Sequence, residues 1–342
     1  GELDSIGDVP GVTVGHFTLA QGARQTGVTV VRPHEGDPFR NKVPAAATVL
    51  NGFGKSCGLI QVEELGVLET PIALTNTFAV GAVANAQIRQ AIAANPEIGR
   101  AWPTVNPLVF ECNDGYLNDI QAQAVAEAHY EQAWRGAASV FEQGSVGAGR
   151  GMSSFGFKGG IGSASRLAEA YPGQRYTVGA LVLSNFGQRS SMTIAGRPFG
   201  RRLAAAARDG EPAGQPEKGS IILLLATDAP LDSRQLRRLS LRAGAGLART
   251  GSVFGHGSGD IALAFSTAYT IPHLAERGMP VQVMLHETRI DALFEAAAEA
   301  VEQAIVAALW RAETVAGRDG HVRRAIREAA PQWRQWLAET AF

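Results

Sequence analysis

Apolar and polar positions along this chain follow two alternating rhythms. Gly27-Val28-Thr29-Val30-Val31 reads as a strand that stops at Pro33. Ala45-Ala46-Ala47-Thr48-Val49-Leu50 and Ile72-Ala73-Leu74-Thr75 predict two more. Residues 176–183 and 221–225 are apolar at every parity, which predicts central strands buried on both faces. Between these runs the period lengthens. Residues 82–94 predict a helix, and so do 119–137, on their alanine and glutamine content. Asp232 is the expected N-cap of a helix carrying Leu236, Leu239, Ala243 and Leu247 on one face. The strongest helical pattern spans 291–312, with Leu293, Phe294, Ala297, Val301, Ile305 and Leu309 as its buried stripe. Segment 208–219, rich in glycine, proline and charge, predicts an exposed loop. The charged tail 318–342 holds Trp333 and Trp336, expected to pack on the body or on a neighbouring subunit. No domain boundary or internal repeat stands out.

Composition narrows the partners. The 342 residues are 45% hydrophobic and 18% charged, enough apolar material for a large core. A formal net charge of -1, without long runs of one sign, predicts neither a nucleic-acid surface nor attraction to an anionic membrane. No stretch approaches the roughly 20 apolar residues of a membrane span. Cys57 and Cys112 lack C-x-x-C spacing and read as two buried free thiols, with a disulfide between them as the alternative. That favours a reducing compartment, so a cytoplasmic protein is expected, or a periplasmic one if a signal peptide has been removed.

The candidate chemistry comes down to one segment. None of the seven histidines stands at H-x-x-x-H or joins a cysteine cluster, so no metal or other cofactor is expected. Asn51-Gly52-Phe53-Gly54-Lys55-Ser56 imitates a P-loop, but Val49 stands where the first glycine belongs. Residues 144–151 lack G-x-G-x-x-G spacing and read as a tight loop with positive φ or close backbone approach. In Arg249-Thr250-Gly251-Ser252, by contrast, a hydroxyl follows an unhindered glycine carbonyl. Two readings stay open. The pair is a helix end followed by a strand, or it is an autocleavage site at Gly251 and Ser252. Scission would give Ser252 a free α-amine of pKa ~8, able to accept the hydroxyl proton.

Several further motifs occur in order. They are Asp8-Val9-Pro10-Gly11-Val12-Thr13-Val14-Gly15-His16, Thr26-Gly27-Val28-Thr29, Lys42-Val43-Pro44-Ala45-Ala46 and Asn51-Gly52-Phe53-Gly54-Lys55. Glu69-Thr70-Pro71-Ile72-Ala73-Leu74-Thr75-Asn76-Thr77, Asn113-Asp114-Gly115-Tyr116-Leu117-Asn118-Asp119 and Lys158-Gly159-Gly160-Ile161-Gly162 follow. Ala226-Thr227-Asp228-Ala229-Pro230-Leu231 and Gly246-Leu247-Ala248-Arg249-Thr250-Gly251-Ser252 close the series. On these motifs the chain, to about residue 312, resembles the P1 (DmpA-like, S58-type) family of self-processing aminopeptidases.

The resemblance implies an α+β fold, a four-layer αββα sandwich similar to the Ntn hydrolases. It implies a single catalytic domain over 1–342, cut into an α chain, 1–251, and a β chain, 252–342, with αβ units forming a homotetramer. It also implies a serine aminopeptidase that releases N-terminal residues from short peptides, amides or esters through an acyl-enzyme on Ser252. Asn185 and Tyr116 match the family's site asparagine and tyrosine, and Glu287 is the candidate for its acidic residue. Asp114 and Glu111 are the candidates for holding the substrate amine. The segment 208–219 is expected over the pocket or an interface. The alternative from another class is an acyltransferase or a non-catalytic small-amine-binding protein of the same architecture.

Overall fold

The computed structural model describes residues 1–206, 218–276 and 278–338, so residues 208–217 of the expected loop lie outside the described residues. The longer strands are β1 (Thr13–Gln21), β2 (Arg24–Arg32), β3 (Asn41–Gly52), β4 (Ile72–Asn76), β5 (Leu108–Cys112), β6 (Gly160–Tyr171), β7 (Gln174–Asn185), β8 (Lys218–Thr227) and β9 (Gly257–Ser266). The longer helices are α1 (Val80–Ala94), α2 (Glu127–Arg135), α3 (Phe199–Ala206), α4 (Ser233–Arg249) and α5 (Asp291–Trp310). One sheet has the order β1-β2-β4-β5. The other runs β3-β9-β8-β7-β6, with two short strands on β3; β8 and β9 are parallel and their outer neighbours antiparallel.

Strand alternation explains the stacking. On β8, Ile222 and Leu224 point toward the smaller sheet and meet Leu74 and Phe110. Ile221, Leu223 and Leu225 point the other way, onto Leu236, Leu239, Val301 and Ile305 of α4 and α5. The smaller sheet buries Val28, Val30, Ala73 and Val109 against Val83, Ala86, Tyr130 and Ala133 of α1 and α2. The result is helices, sheet, sheet, helices, the sandwich that the resemblance implied. Each fully buried Leu or Ile contributes roughly 1.5–3 kcal/mol to this stack.

The capping prediction holds. Asp232 accepts the Gln235 N–H at 2.7 Å, and the Gln235 side chain accepts the Asp232 N–H at 3.2 Å, so both orphan donors are met. Arg238 and Arg242 lie over the Phe294 ring at 5.2 and 4.1 Å. The tail tryptophans pack on the body: Trp333 against Trp310, and Trp336 against Phe199. Cys57 and Cys112 are both free, but only Cys112 is buried as expected; Cys57 is half-buried. In the tight loop, Gly147 has φ +52, and a Cβ at Gly151 would overlap the Gln25 carbonyl.

The predicted helix over 119–137 is too long. Only Glu127–Arg135 is α-helical. The Asp119 N–H bonds the Ala23 carbonyl at 2.8 Å, and Gln123 takes φ 44, which ends the short 3-10 turn there. Among the described residues no helix is long and apolar enough to cross a membrane.

Candidate active site

The register of the larger sheet gathers the candidate residues. Asn185, the last residue of β7, pairs with Ser220; Ser220 pairs with Gly259, and Gly259 with Gly52. The ends of β3 and β7 and the starts of β8 and β9 therefore share one edge. The end of β5 joins them, since the Cys112 thiol lies 3.7 Å from the Leu183 carbonyl. Ser252 stands in the loop entering β9 from the C-terminal end of α4.

That loop is tightly held. The Gly251 N–H still bonds a helix carbonyl, Ala248, at 3.0 Å, while the Thr250 carbonyl accepts from Thr193 at 2.9 Å. The buried Thr250 hydroxyl donates to Leu247 at 2.7 Å. Gly251 has φ +104, and a Cβ there would overlap the Ser191 carbonyl oxygen. Only glycine meets both conditions without strain. Ser252 is buried, and its Oγ accepts the Phe254 N–H at 3.2 Å. Phe254 itself takes φ 54, an uncommon conformation for a bulky residue. The Asn51 amide fastens the following turn by donating to the Gly255, His256 and Ser258 carbonyls. Beyond it, the Ser258 hydroxyl donates to buried Asp260 at 2.6 Å. His256 is exposed, its ring 6.2 Å from that of Phe53.

Asn185 is buried and oriented. Its Oδ1 accepts the Ser153 N–H at 2.9 Å, which fixes Nδ2 as the opposite atom. One Nδ2 proton goes to the Asn113 carbonyl at 3.0 Å. Tyr116 is 38% exposed. The His321 ring stacks on it at 4.5 Å, and the Arg323 guanidinium lies 3.7 Å from its ring centre.

Glu111 and Asp114 are both buried. Glu111 accepts the Lys55 N–H at 2.7 Å and the Thr77 hydroxyl. Asp114 Oδ1 accepts from the Asn118 amide at 3.0 Å, while its Oδ2 is buried with no partner within hydrogen-bond geometry among the described residues. Burial is the main cause that raises the Asp114 carboxyl to about 7, against the opposing effect of Thr26 and Asn118.

The structure brings Ser252, Asn185, Glu111, Asp114 and Tyr116 to one end of the sheets, but within the chain it does not bring Glu287 there. Glu287 pairs with Arg234 and Arg238 and accepts from Gln235 at 3.0 Å. Those residues open α4, whereas Ser252 follows its end, and 17 residues of helix are about 25 Å long. The local motif around 287 carried no information about this, because the two arginines that hold it lie some fifty positions earlier.

Three supporting residues were given no role from the sequence. Thr77 supports Glu111, and Ser153 supports Asn185. Fully buried Lys158 donates to the Gly149, Met152 and Gly159 carbonyls at 2.8–3.0 Å and so anchors the turn before Ser153. A lone lysine in Phe155-Gly156-Phe157-Lys158-Gly159 was the available signal.

Known proteins resemble this chain in sequence and fold. The family model for peptidase family S58 matches residues 4–323. A β-peptidyl aminopeptidase, BapA, from Sphingosinicella microcystinivorans is 40% identical over 344 residues, covering 94% of this chain and 85% of the relative. Among solved structures, a β-aminopeptidase from Burkholderia sp. superimposes with TM-score 0.90 at 40% identity, over 99% of this chain and 96% of the other. The L-aminopeptidase D-Ala-esterase/amidase of Ochrobactrum anthropi, described as a serine aminopeptidase with a variant Ntn-hydrolase fold, gives TM-score 0.87 at 36% identity, over 98% and 95%. On its sequence, its layers and its matched residues, the chain belongs to peptidase family S58 and is a hydrolase, an aminopeptidase of the N-terminal-nucleophile kind.

Proposed function

We propose that this aminopeptidase matures by cutting itself between Gly251 and Ser252 and then uses Ser252 as nucleophile and base on one residue. The observation that carries the reading is the seat of Gly251. Its left-handed backbone packs against the Ser191 carbonyl, directly before a buried hydroxyl. In the precursor, Ser252 Oγ attacks the Gly251 carbonyl carbon, and water resolves the ester. The products are chains 1–251 and 252–342 of one catalytic domain, held together by the shared sheet: β9 lies between β3 and β8.

In the mature enzyme the α-amine of Ser252 takes the Oγ proton as Oγ attacks the first amide, or ester, of a short substrate. The same proton then goes to the leaving group, and water releases the acyl group. Asn185 is suited to the developing oxyanion, because Oδ1 is pinned and Nδ2 has a second proton to give. Tyr116 is the second proposed donor.

A substrate ammonium needs an anion. Glu111 is the better placed of the two candidates, since it holds Lys55 in the turn after β3, and Asn51 on that strand fastens the loop after Ser252. Asp114 lies deeper, under Gly151 and beside Asn118. The relatives' names span β-peptides, L-amino acids and D-Ala esters, and we place this chain's substrates within that set. Two free thiols are in keeping with a cytoplasmic setting. No observation favours acyl transfer or a non-catalytic role.

The amine requirement is testable. Aminoacyl p-nitroanilides with free amines should turn over, and their N-acetylated forms should not. Equal kcat/KM on the two series would contradict an exopeptidase site.

A further inference from the structure

The segment after α5 is built as a strap over Tyr116. Val315–Ala316 and Val322–Arg323 pair as a small antiparallel hairpin, which sets Arg323 opposite Val315. Four contacts lock the hairpin to the Tyr116 loop. The Arg318 N–H donates to the Leu117 carbonyl at 2.8 Å, and Arg318 Nε donates to the Gly115 carbonyl at 2.6 Å. His321 Nδ1 donates to the Tyr116 carbonyl at 2.8 Å, a bond that fixes its tautomer because a carbonyl only accepts. Gly317 lies so close to Leu117 that a Cβ would overlap its carbonyl.

Arg323 then faces two ways. Its guanidinium lies over the Tyr116 ring at 3.7 Å, and its Nε donates to the Ser153 hydroxyl at 3.1 Å. The N–H of the same Ser153 pins Asn185 Oδ1. We propose that Arg323 is a positioning residue for the reaction, fixing the Tyr116 ring and, through Ser153, the strand that orients the Asn185 amide. The inference rests on the reading that Tyr116 and Asn185 serve the reaction at Ser252. It also gives the strap a purpose across the cut: the 252–342 chain brings both the nucleophile and the clamp to groups held by the 1–251 chain. A planar guanidinium suits this double contact, because one edge hydrogen-bonds while the face stays on the ring.

The test compares the mature enzymes of wild type, Arg323→Gln, Arg323→Lys, Tyr116→Phe and the Arg323→Gln/Tyr116→Phe double variant. Arg323→Gln is expected to lower kcat about tenfold while KM stays within about twofold. Arg323→Lys should recover part of the loss, because it restores the cation over the ring without the fork. The double variant should fall below Tyr116→Phe by clearly less than Arg323→Gln falls below wild type, since the Tyr116 part of the clamp cannot be lost twice and only the Asn185 part is left to lose. An unchanged kcat in Arg323→Gln, or losses that multiply in the double variant, would overturn the proposal. Should Arg323→Gln fail to fold, Ser153→Ala, which removes the hydroxyl that Arg323 reaches and keeps the N–H on Asn185, carries the test, and a wild-type kcat there would overturn it. Wild-type activity in Tyr116→Phe would instead sink the reading of Tyr116 beneath it, and the clamp with it.

Discussion

Gly251 is tightly confined at the molecule's working end. Its φ of +104 and the Ser191 carbonyl against its α-carbon leave no room for a side chain. Glycine alone takes this conformation freely, so the position directly before Ser252 calls for it. Asp114 shows confinement of another sort. A buried carboxylate with one oxygen unpartnered among the described residues titrates near 7 rather than at its ordinary 3.8. The folded state therefore holds a proton that the unfolded chain has already released. Stability should fall as pH rises from about 4 to about 7. Asp114→Asn keeps an acceptor for Asn118 and removes the titration. The difference in melting temperature, variant minus wild type, should grow across that window and level off above it. A difference that stays flat with pH would refute the assignment.

Helix α4 links the residue scale to the sheet. Its capped start fixes one end, and its other end delivers Gly251 and Ser252 to the edge where β7 stops and β9 begins. Asp232→Ala should cost about 1 kcal/mol, read as a lower unfolding midpoint. Turnover per folded molecule should stay unchanged, because the cap lies far from Ser252. An unchanged midpoint would show the capping box to be dispensable. Elements like this one were legible because cap and apolar period agree along a single stretch. The helix over 119–137 was overread for the opposite reason. Composition favoured it, but the Asp119 N–H is claimed by Ala23 of the β1–β2 turn, a partner almost a hundred positions away. The place of Glu287 was illegible in the same manner, since Arg234 and Arg238 decide where it sits.

For the molecule as a whole, the central strands announced themselves through apolar runs buried on both faces. The layer order came from the family resemblance, because pairings such as Ser220 with Gly259 leave no local trace. The site is legible only in part on the same grounds. The proposed nucleophile, Ser252, and Lys158 sit in motifs, whereas Ser153 and Arg323 acquire meaning only from contacts made after folding. We expect the αβ units to assemble into a homotetramer, as the resemblance implies; an exposed apolar row, Met279, Val281 and Val283, offers surface for such contacts.

The central claim is tested most directly by intact-mass spectrometry of catalytically active protein under denaturing conditions. Two chains are expected, one ending at Gly251 and one beginning at Ser252 with a free amine, and Ser252→Ala should remain a single inactive chain. One uncut, fully active chain would contradict the account.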